Sequence, residues 1–199
     1  MPRTRRFRPL LAAAVLLAVC VPGAGALAIT HPTAPPVART VAWALGAEYL
    51  GRAGARIQQG DDDCGIAAMQ MVLEARGVAA QGLDSARAVV LARGEGASFG
   101  ELRALAGRSG VRAEGWKLDG PALARAPMPA IVHFPDHYVV VDAVEADGSV
   151  LARDPGIGRV RYPAARFAEL WTGHVLVFPA AAASAAAIPA RDASNTPTL

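Results

Sequence analysis

The sequence has few cysteines and few aromatic residues, and it carries no large excess of charge of either sign. Its 199 residues include only two cysteines, which cannot support a disulfide framework or a zinc cluster. Aromatic residues make up 6% of the chain, but 53% of it is hydrophobic, which is enough to bury one core. The length is typical of a single domain, so the composition favours a single-domain protein over a multidomain enzyme.

The first 26 residues have the three parts of an export signal. Four arginines come first, and an apolar run of twelve residues, Leu10 to Val21, follows them. That run is too short to span a bilayer, and it leads into Ala24-Gly25-Ala26, an A-x-A cleavage pattern. We therefore predict a signal peptide over residues 1–26 and an exported protein, periplasmic or secreted, whose mature chain has no transmembrane span.

The leader also allows a second interpretation, that of a lipoprotein. Leu17-Ala18-Val19-Cys20 is similar to a lipoprotein processing motif, in which Cys20 would carry a lipid and tether the chain to a membrane. Such a motif needs a small residue before the cysteine, and Val19 is larger than that. A lipoprotein is therefore the less favoured alternative to a cleaved signal peptide.

Removal of this leader changes the charge balance of the chain. The whole sequence has 20 Lys and Arg against 17 Asp and Glu, and four of the arginines lie in the leader. The mature chain then has 16 basic and 17 acidic residues and no basic cluster interleaved with aromatics, so nucleic-acid binding is not expected. Cys64 is its only cysteine, and an unpaired thiol in an oxidising compartment indicates a chemical role.

Helical and strand patterns are concentrated between residues 56 and 178. Residues 27–55 are weakly patterned and are interpreted as a linker or N-terminal extension. Residues 179–199 contain almost no large apolar side chains and are expected to be disordered. Within 56–178 the helices come first and the strands second, which predicts an α+β domain with N-terminal helices packed on an antiparallel β-sheet.

The spacing of apolar residues predicts the individual elements of this domain. Ser98 and Glu101 form a capping-box pattern that opens the third helix. The predicted helices are 64–76, 84–93, one beginning at 99, and 163–171, and the predicted strands are 111–116, 130–134, 138–144, 150–153, 160–162 and 174–178.

Cys64 is a candidate nucleophile because it lies at the first turn of a predicted helix. The positive end of a helix dipole favours a thiolate over a thiol. A buried structural cysteine is the alternative, but the three aspartates before it, Asp61 to Asp63, favour the rim of a cleft. These aspartates are interpreted as a helix cap and solvated surface, since contiguous carboxylates do not match a calcium-binding loop.

A thiolate nucleophile needs a base, and the base needs an orienting group. His137 follows a turn and begins a predicted strand, and Asp154 ends the next strand along the chain. A hairpin connection brings those two strand ends together, so His137 and Asp154 are candidates for the base and its orienting group. The other three histidines are interpreted as lying in the linker or as structural residues: His31, His133 and His174.

Acyl transfer also needs hydrogen-bond donors for a developing oxyanion. The backbone N–H of Cys64 is one candidate donor. A side-chain amide just upstream is the other, and Gln58 and Gln59 are both placed to supply it. The local sequence leaves the choice between these two glutamines open.

In order along the chain, these residues resemble the bacteriocin-processing (double-glycine leader) cysteine peptidase family of the papain-like superfamily. The resemblance covers about residues 56–178 and rests on several short motifs taken together. They are Gln58, Asp63-Cys64-Gly65-Ile66-Ala67-Ala68-Met69, Pro129 to His133, His137-Tyr138-Val139-Val140-Val141, Asp154-Pro155-Gly156-Ile157-Gly158, and Phe167 to Gly173.

By this resemblance the fold is papain-like and the catalytic triad is Cys64, His137 and Asp154. The spacing of six residues between Gln58 and Cys64 matches that of the family's oxyanion glutamine, which selects Gln58 over Gln59. Cys64 would attack a peptide carbonyl, and no metal or other cofactor would be needed. The family's cleft accepts small residues before the cut, often Gly-Gly, so the implied partner is a protein or peptide substrate.

The chain departs from those family members that are fused to an export transporter. It carries its own leader and has no ATP-binding loop, so it resembles the stand-alone, exported members. An exported protein is therefore a more natural substrate than a bacteriocin leader. Two alternatives remain open: a catalytically silent peptide-binding module of the same fold, and an acyltransferase in which another nucleophile resolves the Cys64 thioester.

Overall fold

The computed structural model of the protein describes residues 35–179, and this part of the chain forms six helices and seven strands. No helix within it is long and apolar enough to cross a membrane. In chain order the elements are α1 (Pro35–Ala44), β1 (Glu48–Gly51), α2 (Cys64–Ala75), α3 (Leu83–Arg93), α4 (Phe99–Arg108), β2 (Glu114–Lys117), α5 (Gly120–Leu123), β3 (Ala130–Phe134), β4 (His137–Val144), β5 (Val150–Asp154), β6 (Gly158–Tyr162), α6 (Ala164–Leu170) and β7 (His174–Val177).

The strands form one antiparallel sheet in the order β1-β6-β5-β4-β3-β7-β2. Three consecutive connections, from β3 to β6, are hairpins. In the first of them Phe134 pairs with His137, and in the last Asp154 pairs with Gly158. The start of β4 and the end of β5 therefore lie at the same end of the sheet.

One face of the sheet is covered by α2, α3 and α4. Nine of the twelve residues of α2 are buried, so this helix is enclosed by the sheet on one side and the other two helices on the other. Alternate residues of the central strands meet it, because strand side chains point to opposite faces in turn. Those residues are Ile131, Tyr138, Val140 and Leu176.

The opposite face of the sheet is covered by α1 and α6. Ala38 and Ala42 of α1 are buried against the sheet, together with Phe167 of α6. β1 follows α1 and pairs with β6 at one edge. The α+β class and the antiparallel sheet expected from the sequence are therefore both present, with a helical layer on each face.

The segment predicted as a linker over residues 27–55 is more ordered than expected where the structure describes it. Its residues from 35 to 51 form α1 and β1. The buried side chains of α1 are small alanines rather than large apolar residues, so the sequence carries only a weak periodic signal there. The predicted signal peptide (1–26), the first part of this segment and the tail from residue 180 onward lie outside the described residues.

Most of the predicted helices and strands match the structure closely, but the short helix α5 was not predicted and one strand begins later than expected. The capping box at Ser98 and Glu101 is formed in both directions. The strand predicted over 111–116 instead begins at Glu114, because Gly110 turns the chain with φ 74° and Val111 donates its N–H to the carbonyl of Ala106 in α4. Val111 therefore belongs to the exit from that helix.

The buried face of α1 generates a stability prediction. Ala42→Asp places an unpaired carboxylate where Ala42 is fully buried, so we expect the free energy of unfolding to fall by about 3 kcal/mol or more. Trp43→Asp, at the adjacent position of the same helix, is the control: Trp43 is 79% exposed, and its replacement should change stability by less than about 0.5 kcal/mol. Urea denaturation followed by circular dichroism measures both, and equal effects would show that α1 is not packed on the sheet.

Candidate active site

Cys64 is the first residue of α2 and is buried at 4% exposure. Its own backbone N–H belongs to the first turn of the helix, where amides have no acceptor within the helix. Gly65 lets β4 pass close by, since a Cβ atom at this position would lie 3.1 Å from the Tyr138 ring. The thiol and a free backbone donor are therefore held beside the start of β4.

His137 is presented by a two-residue turn between β3 and β4. Asp136 in this turn has a left-handed backbone with φ 58°, a conformation that Asp tolerates better than most residues. His137 then begins β4 with its side chain 26% exposed. Its Nε2 lies 2.8 Å from Oδ1 of Asp154, so the structure brings together the two strand ends that the sequence predicted to meet.

Asp154 is buried at 2% exposure and accepts three hydrogen bonds. Besides His137, the backbone N–H of Gly156 donates to Oδ1 at 2.7 Å, and the Tyr162 hydroxyl donates to Oδ2 at 3.3 Å. The bond from Gly156 is the ordinary contact of an Asp two residues before it in a turn. Asp154 therefore acts both as a turn former and as the partner of His137. The burial of Tyr162, followed by the charge of Asp154, raises the pKa of Tyr162.

The charges around His137 favour its protonated form. Burial lowers the pKa of His137, but the charge and hydrogen bond of Asp154, followed by the hydrogen bond and charge of Cys64, raise it to about 10. The same surroundings act on Tyr138, whose pKa is raised to about 12 by burial and by the nearby charges of Cys64 and Glu101. Such an environment suits a thiolate and an imidazolium held as an ion pair.

Gln58 lies beside these residues, whereas Gln59 is exposed. The backbone N–H of Gln58 donates to the carbonyl of Pro155 at 2.9 Å, and its Nε2 donates to the carbonyl of Gly60 at 2.7 Å. A Cβ atom at Gly156 would lie 3.9 Å from Cε1 of His137 and 4.0 Å from Oε1 of Gln58. The loop before α2 is thus joined to the turn that carries Asp154.

The interpretation of Asp61 to Asp63 as cap and solvated surface is wrong for Asp63. Asp61 is exposed and Asp62 half-buried, but Asp63 is fully buried and its side chain makes no cap bond to α2. Its carboxylate pairs instead with Arg87 at 2.9 Å. The sequence carried no signal for this pair, because Arg87 lies 24 residues away on a helix whose packing is a tertiary property.

Two of the histidines interpreted as structural lie beside Thr172. His133 and His174 both lie within hydrogen-bond distance of Thr172 Oγ1, at 3.2 and 3.3 Å. Burial, followed by the charge of His174, lowers the pKa of His133. His31 lies outside the described residues. Within residues 35–179 no group of three His, Cys, Asp or Glu side chains is placed to hold a metal ion.

A sequence model of the Peptidase C39 family matches residues 54–183. A curated relative, the probable functional amyloid protease FapD of Pseudomonas aeruginosa, is 30% identical over 129 residues. That match covers 59% of this chain and 57% of the relative, so the chain spans little more than half the length of FapD.

Two solved structures show the same fold. A double-glycine motif protease from an AMS/PCAT transporter, in complex with its leader peptide, has a TM-score of 0.56 and 25% identity, over 66% of this chain and 96% of that one. The peptidase domain of Streptococcus ComA, a bifunctional ABC transporter of a quorum-sensing pathway, has a TM-score of 0.53 and 22% identity, over 62% and 95%. The predicted papain-like fold is therefore confirmed.

The raised pKa of His137 predicts how stability depends on pH. A histidine whose folded-state pKa rises from 6.5 to about 10 stabilises the fold fully below pH 6.5, and this contribution is lost as the pH rises toward 10. Asp154→Asn removes the charge that raises the pKa most, so the decline in the free energy of unfolding should become shallower. Urea titrations in reducing buffer between pH 6 and 10 measure it, with His174→Gln as a control that keeps the wild-type slope. An unchanged slope in Asp154→Asn would contradict the assignment.

Proposed function

From the premise that this chain belongs to the Peptidase C39 family and is a cysteine peptidase, as its sequence motifs predicted, we propose that it cleaves exported proteins after small residues such as Gly-Gly. Cys64 is the nucleophile, His137 the base and Asp154 the orienting group. The observation that carries the proposal is the 2.8 Å contact between His137 and Asp154, next to a cysteine at the N-terminus of a buried helix.

The proposed reaction begins at the Cys64 thiolate. Its sulfur attacks the scissile carbonyl carbon, and the C–N bond then breaks as the protonated His137 gives its proton to the leaving amine. Asp154 holds Nε2, so Nδ1 is the ring nitrogen that exchanges this proton. Water next attacks the thioester while His137 accepts a proton from it, which releases the acid and restores Cys64.

The oxyanion formed in each step is proposed to bind two N–H donors. One is the backbone amide of Cys64, which the helix leaves without an acceptor. The other is the side-chain amide of Gln58, one of whose two N–H groups is used by the Gly60 carbonyl. The second N–H of Gln58 is the one proposed to bind the oxyanion, since paired N–H donors stabilise acyl-transfer transition states.

The substrate is proposed to be a peptide segment of an exported protein. The solved relative that binds a leader peptide supports a peptide substrate and the double-glycine preference. The arginine-rich leader with its A-x-A pattern supports export. FapD, named as a probable functional amyloid protease, supports a protein substrate for this chain, which spans only part of that relative.

The ion pair predicts the reactivity of the thiol toward alkylating reagents. Iodoacetamide should modify Cys64 rapidly even at pH 6, and His137→Ala should slow this reaction by about 10–100-fold, because an unpaired thiol is mostly protonated there. His174→Ala is the control and should leave the rate unchanged. The measurement is the mass shift of the intact protein over time. Equal rates in the wild type and His137→Ala would contradict the proposed pair.

The proposed oxyanion donor predicts a difference between two neighbouring glutamines. Gln58→Ala should lower kcat on a peptide containing Gly-Gly by about 10²–10³-fold, whereas Gln59→Ala, at an exposed position, should stay within about twofold. Mass spectrometry of the products locates the cut and distinguishes hydrolysis from acyl transfer to an added amine. Cleavage that ignores the Gly-Gly sequence would contradict the specificity, and equal effects of the two variants would contradict the role of Gln58.

A further inference from the structure

The buried carboxylate of Asp63 directly precedes the nucleophile and has no part in the proposed reaction. Asp63 is fully buried. Its Oδ1 accepts the backbone N–H groups of Gln59 and Gly60, both at 2.9 Å, and its Oδ2 accepts Nε of Arg87 at 2.9 Å. A buried charge is tolerated only when it is paired and hydrogen-bonded. The loop before α2 must therefore keep the conformation in which Gln59 and Gly60 donate to Asp63.

Gly60 connects this carboxylate to Gln58. Its N–H donates to Asp63, while its carbonyl accepts Nε2 of Gln58 at 2.7 Å. The position of the Gly60 peptide therefore depends on Asp63, and the direction of the Gln58 amide depends on Gly60. Two hydrogen bonds in series therefore connect the buried carboxylate of Asp63 to the side chain of Gln58, the proposed oxyanion donor.

Helix α3 supports the same loop from outside. Arg87 and Leu91 are one turn apart on this helix and both reach the loop. A Cβ atom at Gly60 would lie only 2.6 Å from Cδ2 of Leu91, so the helix packs directly against the glycine. Arg87 is 12% exposed, and it also donates to Gln70 of α2 at 3.1 Å and to Asp84 at 3.3 Å. The guanidinium thus joins α3, α2 and the loop.

We propose that Asp63 and Arg87 form a positioning pair that directs the Gln58 side chain toward the oxyanion. The inference rests on the proposed function, since it gives Gln58 the role of oxyanion donor. The pair acts through Gln58 and not on the thiol, because its side-chain contacts run to Gln59, Gly60, α3 and Gln70 in the middle of α2, and none is to Cys64 or His137. Loss of the pair should therefore weaken transition-state stabilisation and leave the Cys64–His137 ion pair intact.

The test is a double-mutant cycle on kcat for the Gly-Gly peptide. Asp63→Asn keeps the size of the side chain and an oxygen acceptor but loses the charge, and it should lower kcat at least about tenfold with KM within about threefold. In a Gln58→Ala background the same substitution should change kcat less than about twofold, because residues that act through one group are not additive. Iodoacetamide alkylation of Cys64 should stay within twofold of the wild-type rate in Asp63→Asn.

Two further variants keep this test decisive. Asp84→Asn removes the exposed carboxylate that contacts the same arginine and should leave kcat unchanged. Arg87→Gln removes the partner of Asp63, so it should also lower kcat and should have little further effect in the Gln58→Ala background. It replaces Asp63→Asn if that variant does not fold. Equal effects of Asp63→Asn in the wild-type and Gln58→Ala backgrounds would overturn the inference and leave the proposed function standing. A loss of Cys64 alkylation that parallels the loss of kcat would do the same. Absence of turnover in the wild-type protein would overturn the proposed function, and the inference with it.

Discussion

The hydrogen bond between Asp154 and His137 is the contact on which the arrangement of the site depends. It joins the end of β5 to the start of β4 within a hairpin, so the sheet register sets its geometry. Burial alone would disfavour a charged imidazole, and the charge and hydrogen bond of Asp154, followed by those of Cys64, reverse that preference. Because Asp154 is also tied to the turn at Gly156 and to Tyr162, the imidazole ring has a fixed partner on a rigid part of the fold.

Cys64, the proposed nucleophile, depends on a second set of constraints, which hold α2 against the sheet. At its C-terminal half, Arg153 of β5 donates to the Met71 carbonyl of α2 and pairs with Asp142 of β4. At its N-terminus, Gly65 allows the close approach of Tyr138. Arg153 and Asp154 are adjacent residues, so one strand end fixes both the helix that carries Cys64 and the histidine that pairs with it.

The N-terminal segment extends the fold beyond the part that matches the family. The matched region begins at residue 54, whereas α1 and β1 lie before it. α1 helps to cover the face of the sheet that also packs against α6, and β1 forms one edge of the sheet. Gly158 accommodates this addition, since a Cβ atom there would lie 2.6 Å from the Gly51 carbonyl. The turn that follows Asp154 is therefore packed against a strand supplied from outside the matched region.

The sequence by itself determined most of the helices and strands from Cys64 onward, the capping box at Ser98, and His137 and Asp154 as partners. Apolar periodicity, turn residues and hairpin connections are local properties. The choice of Gln58 over Gln59 needed the family resemblance. Tertiary structure alone decided that α1 packs on the sheet, that β1 joins its edge, and that Asp63 is buried against Arg87. Those features depend on which surfaces meet, and a buried ion pair between residues far apart in the chain has the same local sequence pattern as a solvated one.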